Sequence, residues 1–131
     1  MYTMKQACEM TGLSYETLKY YCNEGLVPGV RRDRNNRRIF DERDIGWIHG
    51  LICLKDCGMG IHEMKQYLTT LLSEAPDINL LKGMLEAKRE ELEESIRHAQ
   101  ESLRFIQWKQ AHYDAVLSGE RELFDLSDTY Q

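Results

Sequence analysis

The amino-acid sequence predicts a mainly α-helical chain, with a small head that ends in a β-hairpin and one long helix that needs a partner. Three observations carry this. Two short helical segments flank a turn at Gly12, a Pro28-Gly29 break introduces ten residues with five arginines, and an apolar residue recurs at every seventh position from Ile78 to Tyr113.

Residues 3–25 open the head. Met4, Ala7 and Cys8 make a small apolar face that is followed by Thr11-Gly12-Leu13. Gly12 supplies the backbone freedom a tight turn requires. Ser14 stands where an N-cap belongs, with Thr17 three residues on, where a Glu would have completed a capping box. The second helix is predicted from Tyr15 to about Glu24, with Gly25 as its stop signal. Helix, glycine turn, helix is the helix-turn-helix pattern.

Residues 26–40 change character. Pro28 and Gly29 break helices. In Arg31-Arg32-Asp33-Arg34-Asn35-Asn36-Arg37-Arg38-Ile39-Phe40 the two asparagines suit the left-handed positions of a hairpin turn. A short basic β-hairpin, a wing, is the expectation.

Residues 41–72 read as two helices. Asp41 caps the first, where Ile45, Ile48 and Ile52, and Trp47, Leu51 and Leu54, repeat at helical spacing. Gly58 and Gly60 close it. The second runs from about Ile61 to Leu72, with an apolar stripe of Ile61, Met64, Tyr67, Leu68 and Leu71. Both stripes read as core.

Residues 77–117 read as one long helix without proline. Ile78, Leu85, Leu92, Ala99, Ile106 and Tyr113 fall seven apart, and a second seam begins at Leu81 and shifts to Ile96, Leu103 and Leu117. Such a stripe demands a second helix, because only one face is apolar. Lys88, Ser95 and Ser102 interrupt the second seam. Residues 118–131 form a tail too short for a separate ligand domain. The expected organisation is therefore a head at 1–72, a dimerisation coiled-coil helix at 77–117 and a tail at 118–131.

Composition fits this plan. The chain has 131 residues, 42% hydrophobic and 30% charged, which suits a small folded domain with an extended appendage. No apolar run approaches the ~20 residues of a membrane span, and the N-terminus lacks the pattern of a signal peptide. A cytoplasmic protein is expected. The net charge of -5 is unevenly spread: residues 1–40 hold seven Lys and Arg against four Asp and Glu, and residues 71–131 hold seven against thirteen. Salt screens fields beyond ~8 Å, so an acidic tail need not oppose a local attraction between the basic head and phosphate.

The second helix carries Tyr15, Thr17, Lys19, Tyr20 and Tyr21, side chains able to hydrogen-bond phosphates and base edges from within a major groove. Either Tyr20 or Tyr21 could instead pack in the core. The wing adds Arg31, Arg32, Arg34, Arg37 and Arg38, and Arg binds phosphate bidentately. An ordinary solvated hairpin is the alternative. Catalysis has little support: no nucleophile–base pair, phosphate-cradling loop or metal cluster is evident, and His49, His62, His98 and His112 are scattered. Neither a cofactor nor a metal is expected.

The stretches Tyr2-Thr3-Met4-Lys5-Gln6-Ala7, Thr11-Gly12-Leu13-Ser14-Tyr15-Glu16-Thr17-Leu18-Lys19-Tyr20-Tyr21 and Glu24-Gly25-Leu26-Val27-Pro28 together resemble the opening of the MerR family of regulators. Arg38 and Phe40 in the wing, Asp44-Ile45 and Gly58-Met59 continue the resemblance to about residue 72. Two positions depart from it. The family's usual Arg-Tyr-Tyr-Glu is here Lys19-Tyr20-Tyr21-Cys22, and Lys lacks the planar fork of Arg. Asn36 stands where the wing tip often has Gly.

The resemblance implies a winged helix-turn-helix head and a homodimer whose long helices pair as an antiparallel coiled coil. It implies binding of double-stranded DNA at a pseudo-palindromic operator. Regulators of this kind bend and untwist DNA between promoter elements, and so reach RNA polymerase indirectly. The expected DNA-facing residues are Ser14, Tyr15, Thr17, Lys19, Tyr20, Tyr21, Arg31, Arg32, Arg37, Arg38 and Phe40. The expected dimer contacts are Ile78, Leu81, Leu85, Leu92, Ile96, Ala99, Leu103, Ile106 and Tyr113. Location in the cytoplasm, associated with the nucleoid, follows.

Cys8, Cys22, Cys53 and Cys57 are the four cysteines. The segment Leu51-Ile52-Cys53-Leu54-Lys55-Asp56-Cys57-Gly58-Met59 resembles the aldehyde- and thiol-stress branch, where a lone cysteine lies five residues before that Gly. Cys53 matches the position as a candidate electrophile sensor, with Cys57 extra; the alternative is a small buried hydrophobe. Cys8 and Cys22 read as structural. The competing functions are an effector-independent repressor and a coiled-coil adaptor between proteins.

Overall fold

The computed structural model describes residues 1–127. Its elements are β1 (Tyr2–Thr3), α1 (Met4–Thr11), α2 (Tyr15–Asn23), β2 (Arg31–Arg32), β3 (Arg38–Phe40), α3 (Glu42–Asp56), α4 (Ile61–Leu71) and α5 (Ile78–Leu117). Two compact units divide the chain between Lys88 and Arg89. The expected division lay earlier, between residues 72 and 77. The difference arises because Leu81 and Lys88, on the opening turns of α5, are buried in the first unit.

Local chemistry sets the element ends. Thr3 and Gln6 form a reciprocal capping box at α1, and Gly12, at φ 78°, ends it. Ser14 caps α2 by accepting from the Thr17 N–H at 3.2 Å. At the far end Leu26 N donates to Tyr21 O at 3.0 Å across Gly25, whose φ is 76°, a left-handed helix stop. Asp41 and Asp44 cap α3 reciprocally.

The hairpin of β2 and β3 gains a third strand that the sequence reading missed. Order is β1-β3-β2, all antiparallel, with Tyr2 opposite Phe40 and Arg32 opposite Arg38. Two residues are too few to show strand alternation, so β1 left no periodic signal. Its pairing stitches the N-terminus to the wing, and the Tyr2 hydroxyl donates to Glu42 on α3.

The core of this unit gathers Ala7, Leu18, Leu26, Phe40, Ile48 and Leu51, all essentially inaccessible, with Tyr21, Val27, Ile45, Met59, Met64 and Leu68 around them. Trp47 Nε1 donates to Leu26 O at 2.7 Å, which ties α3 to the segment after α2.

In the second unit α5 continues to Leu117. Residues beyond it return along the helix: Glu120 N donates to Ala115 O, Phe124 stacks on Trp108 and His112, and Phe124 N donates to His112 Nε2 at 3.2 Å. Within the tail expected at 118–131, Glu120 and Phe124 thus meet α5, while Leu123 and Leu126 are exposed, and residues 128–131 lie outside the described residues.

Candidate nucleic-acid interface

Two structural elements supply the candidate surface: the exposed face of α2 and the wing. Tyr15, Lys19 and Tyr20 are exposed on α2, while Thr17 is half-buried beside them. Their exposure follows from helical periodicity, since Leu18 and Tyr21, on the opposite face, are drawn into the core. Ser14 Oγ is occupied as a cap, and also donates to Thr17 Oγ1 at 2.9 Å.

The wing is held from within. Asp33 Oδ1 accepts from the N–H groups of Asn35 and Arg37, both at 2.9 Å, and Asp33 N donates to Arg37 O. Asn36 takes the left-handed conformation at φ 60°, which Asn tolerates better than most residues. Of the expected Asn35-Asn36 pair, only Asn36 does so. Arg32 Nη1 donates to Asn36 O at 2.9 Å, bracing the tip.

Arg38 joins the wing to α2. Its Nη2 donates to Asn23 Oδ1 at 2.5 Å, from a half-buried position. Arg31 lies 3.6 Å from the Asp41 carboxylate. The Asp41 carboxyl is held below its usual range, first by the Asp44 backbone N–H, with Arg31 adding to it. The Arg37 side chain remains exposed at the rim.

Between wing and helices lies a cleft of about 510 Å³ lined by Tyr15, Arg32, Arg37 and Arg38, together with Thr3, Met4, Lys5, Asn36, Ile39 and Asp33, whose carboxylate is taken up by the wing turn. Four of the expected site residues thus share one concave basic surface. Lys19 and Tyr20 lie outside that lining; Tyr20 and Thr17 border a separate depression with Lys55 and Gly60.

Two expected contacts are corrected. Phe40 is 0% exposed and Tyr21 only 4%, so both rings are core residues rather than DNA-facing ones. On β3, Phe40 pairs with Tyr2, and the strand directs its ring inward. Three participants were missed. Lys5 and Thr3 line the cleft because β1 and α1 abut the wing, and Asn23, outside the lining, takes part by accepting the Arg38 hydrogen bond. Lys5 entered the sequence reading only as part of the family-like opening stretch and not as a DNA-facing residue, and Asn23 carried no local signal.

A third correction concerns the dimer set. Leu81 is 7% exposed and packs within its own head. The other large seam residues stand open, with Leu92 at 41%, Ile96 at 58% and Leu103 at 55%, while Ile78, Leu85, Ile106 and Tyr113 are also exposed, as is Ala99.

The cysteines differ in setting. Cys8 and Cys22 are half-buried against the core, and burial pushes both thiols up, although Arg38 and Arg32 partly offset this at Cys22. Cys53 is exposed on α3, which corrects the alternative of a buried hydrophobe. Cys57, half-buried, is the C-cap of the same helix. Among the described residues no cluster of three or more His, Cys, Asp or Glu could hold a metal ion.

Comparison with known proteins places this geometry. The family described as MerR HTH family regulatory protein matches residues 2–71. An uncharacterized HTH-type transcriptional regulator of Haemophilus influenzae is 30% identical over 112 residues, covering 86% of this chain and 83% of that one. The HTH-type transcriptional regulator AdhR of Bacillus subtilis is 32% identical over 87 residues, 66% of this chain and 62% of its own. Among solved structures, HiNmlR, a MerR family regulator lacking the sensor domain and bound to promoter DNA, superposes with a TM-score of 0.75 at 29% identity, over 89% of this chain and 93% of that one. A MerR family transcriptional regulator from Bacillus thuringiensis gives 0.69 at 28% identity, over 86% and 98%.

Proposed function

The chain belongs to the MerR helix-turn-helix family of regulatory proteins and is a DNA-binding transcription regulator, not an enzyme; from that premise we propose that it works as a homodimer on a pseudo-palindromic operator, and bends and untwists the duplex there. The observation that carries this reading is the basic cleft where Tyr15, Arg32, Arg37 and Arg38 converge. In it α2 enters a major groove while the wing grips the flanking phosphates, with Lys19 and Tyr20 on the same helix. Ser14 and Thr17 serve chiefly to start that helix in the right place.

The dimer follows from the seam. An isolated helix does not leave Leu85, Leu92, Ile96, Leu103 and Ile106 open to water without cost; fully burying one such side chain is worth about 1.5–3 kcal/mol. A second copy of α5, antiparallel, covers them. Two-fold symmetry then requires a two-fold site. Deforming the duplex costs about 1–6 kcal/mol, offset by the contacts it permits. RNA polymerase is reached through the altered DNA, not by contact. A protein that acts on chromosomal DNA would be located in the cytoplasm with the nucleoid; the described residues contain no helix long and apolar enough to cross a membrane.

A response to electrophiles through Cys53 is the finer reading, favoured by one observation: this thiol is exposed on α3, unlike Cys8 and Cys22. Its thiolate would add to an aldehyde or similar electrophile. The test is footprinting on the DNA upstream of the chain's own coding sequence, with and without an aldehyde. Two equivalent protected half-sites support the dimer reading. Absence of binding to any duplex at low salt, where phosphate contacts are strongest, overturns it and favours the protein–protein adaptor. An unchanged footprint and unchanged transcription with aldehyde favour the effector-independent repressor.

A further inference from the structure

Lys88 occupies a seam position where the seven-residue pattern asks for an apolar side chain, and so looks like a defect in the coiled coil. The structure gives it another setting. Lys88 is 8% exposed within the first unit. Its Nζ lies 2.7 Å from Glu63 Oε2 on the first turn of α4, and donates to Gly58 O at 3.4 Å in the turn that ends α3. Glu63 Oε1 also accepts from Gly60 N at 3.4 Å, capping α4. The neighbouring ammonium holds the Glu63 carboxyl below its usual range. Leu81, seven residues earlier on the same face of α5, is buried as well.

A buried cation is costly, and replacing a buried ion pair by an apolar residue of similar volume is often neutral or stabilising. Stability alone therefore does not account for Lys88. What an ion pair supplies and a methionine does not is direction, since ammonium, carboxylate and carbonyl meet in one geometry only. The opening turns of α5, held this way within the first unit, resist rotation about the helix axis, and a slip of one residue turns a helix's faces by about 100°. We propose that Lys88, held by Glu63 and Gly58 O, is a positioning residue that sets the rotational phase of α5 on the head, and thereby the half-site separation that the regulator accepts. This rests on the dimer reading above. Each added base pair turns one half-site by about 34–36° relative to the other. A fixed phase therefore selects one separation, and a free one tolerates several.

Selection from a library of randomised duplexes tests this with the full chain. The wild type enriches inverted half-sites at one separation. Lys88→Met, similar in volume and without charge, enriches the same half-site sequence spread over two or more separations, while its affinity for an isolated half-site is unchanged and sedimentation still shows a dimer. Glu63→Ala, on the exposed side of the pair, gives the same spread and decides the matter should Lys88→Met fail to fold. Variants that keep the single wild-type separation overturn the inference and leave the proposed function standing. A wild type that enriches no paired half-sites overturns both.

Discussion

Arg37→Ala separates a wing that grips phosphate from one that is merely a solvated hairpin. Arg31 leans on Asp41, Arg32 on the Asn36 carbonyl and Arg38 on Asn23. Arg37 instead stands exposed on the cleft lining, so its charge is available to a ligand. A dimer of the variant lacks two phosphate contacts, one per head. With ~0.9 counterions released per contact, the slope of log K against log salt becomes shallower by about 1.8. Across a fourfold rise in salt, from about 50 to about 200 mM, the ratio of wild-type to variant affinity should therefore shrink about 12-fold. Fluorescence anisotropy on a labelled duplex bearing the footprinted site reads both lines. Asn23→Ala is the control. It removes the partner of Arg38 and changes no charge, so its line should lie below the wild type and parallel to it. Should the Arg37→Ala line also run parallel to the wild type, no phosphate is neutralised at this position and the clamp is wrong.

Other perturbations probe the rest of the assembly. Leu92→Asp puts two carboxylates into the middle of the paired seam and should yield monomers in analytical ultracentrifugation; a dimer that survives dilution would refute the α5 interface. Phe40→Ala empties a fully buried site and should cost about 3–5 kcal/mol, lowering the urea midpoint without changing its slope. Wild-type unfolding behaviour would contradict the placement of Phe40 in the core. Cys53→Ser should abolish the transcriptional response to an aldehyde while operator affinity is retained, and a response of normal size rejects the sensor.

Much of the fold was legible because its signals are local. Ser14, Asp41 and the glycines at 12 and 25 mark helix ends by chemistry that acts within four residues, and α5 runs from Ile78 to Leu117 as its heptads required. What escaped the sequence depends on distant partners. Tyr2–Thr3 is a strand only because β3 lies beside it, and Arg38 is a joint only because Asn23 is 15 residues away in sequence and touching in space. Phe40 and Tyr21 were misplaced for a related reason. An aromatic in a basic motif carries the same letter whether it faces a duplex or plugs a core, and only the strand and helix phases decide. Lys88 shows the same limit, as a heptad register identifies the odd residue and not the glutamate that meets it.

Net charge was the least informative property of the chain, and the structure gives the reason. Several acidic groups of the head are engaged in building it. Asp33 ties the wing turn, Asp41 and Asp44 cap α3, Glu24 pairs with Lys65, and Glu63 caps α4 while holding Lys88. A carboxylate already met by backbone N–H groups or a lysine presents little field to a ligand, whereas an exposed Arg37 beside a cleft presents nearly all of its own. Interaction at phosphate distances depends on the unspent charge within a Debye length. By that measure the cleft is cationic although the chain as a whole is anionic. These five acidic residues of the head thus do not weaken the case for DNA: by fixing the wing, the helix starts and their lysine partners, they hold the exposed cations in place.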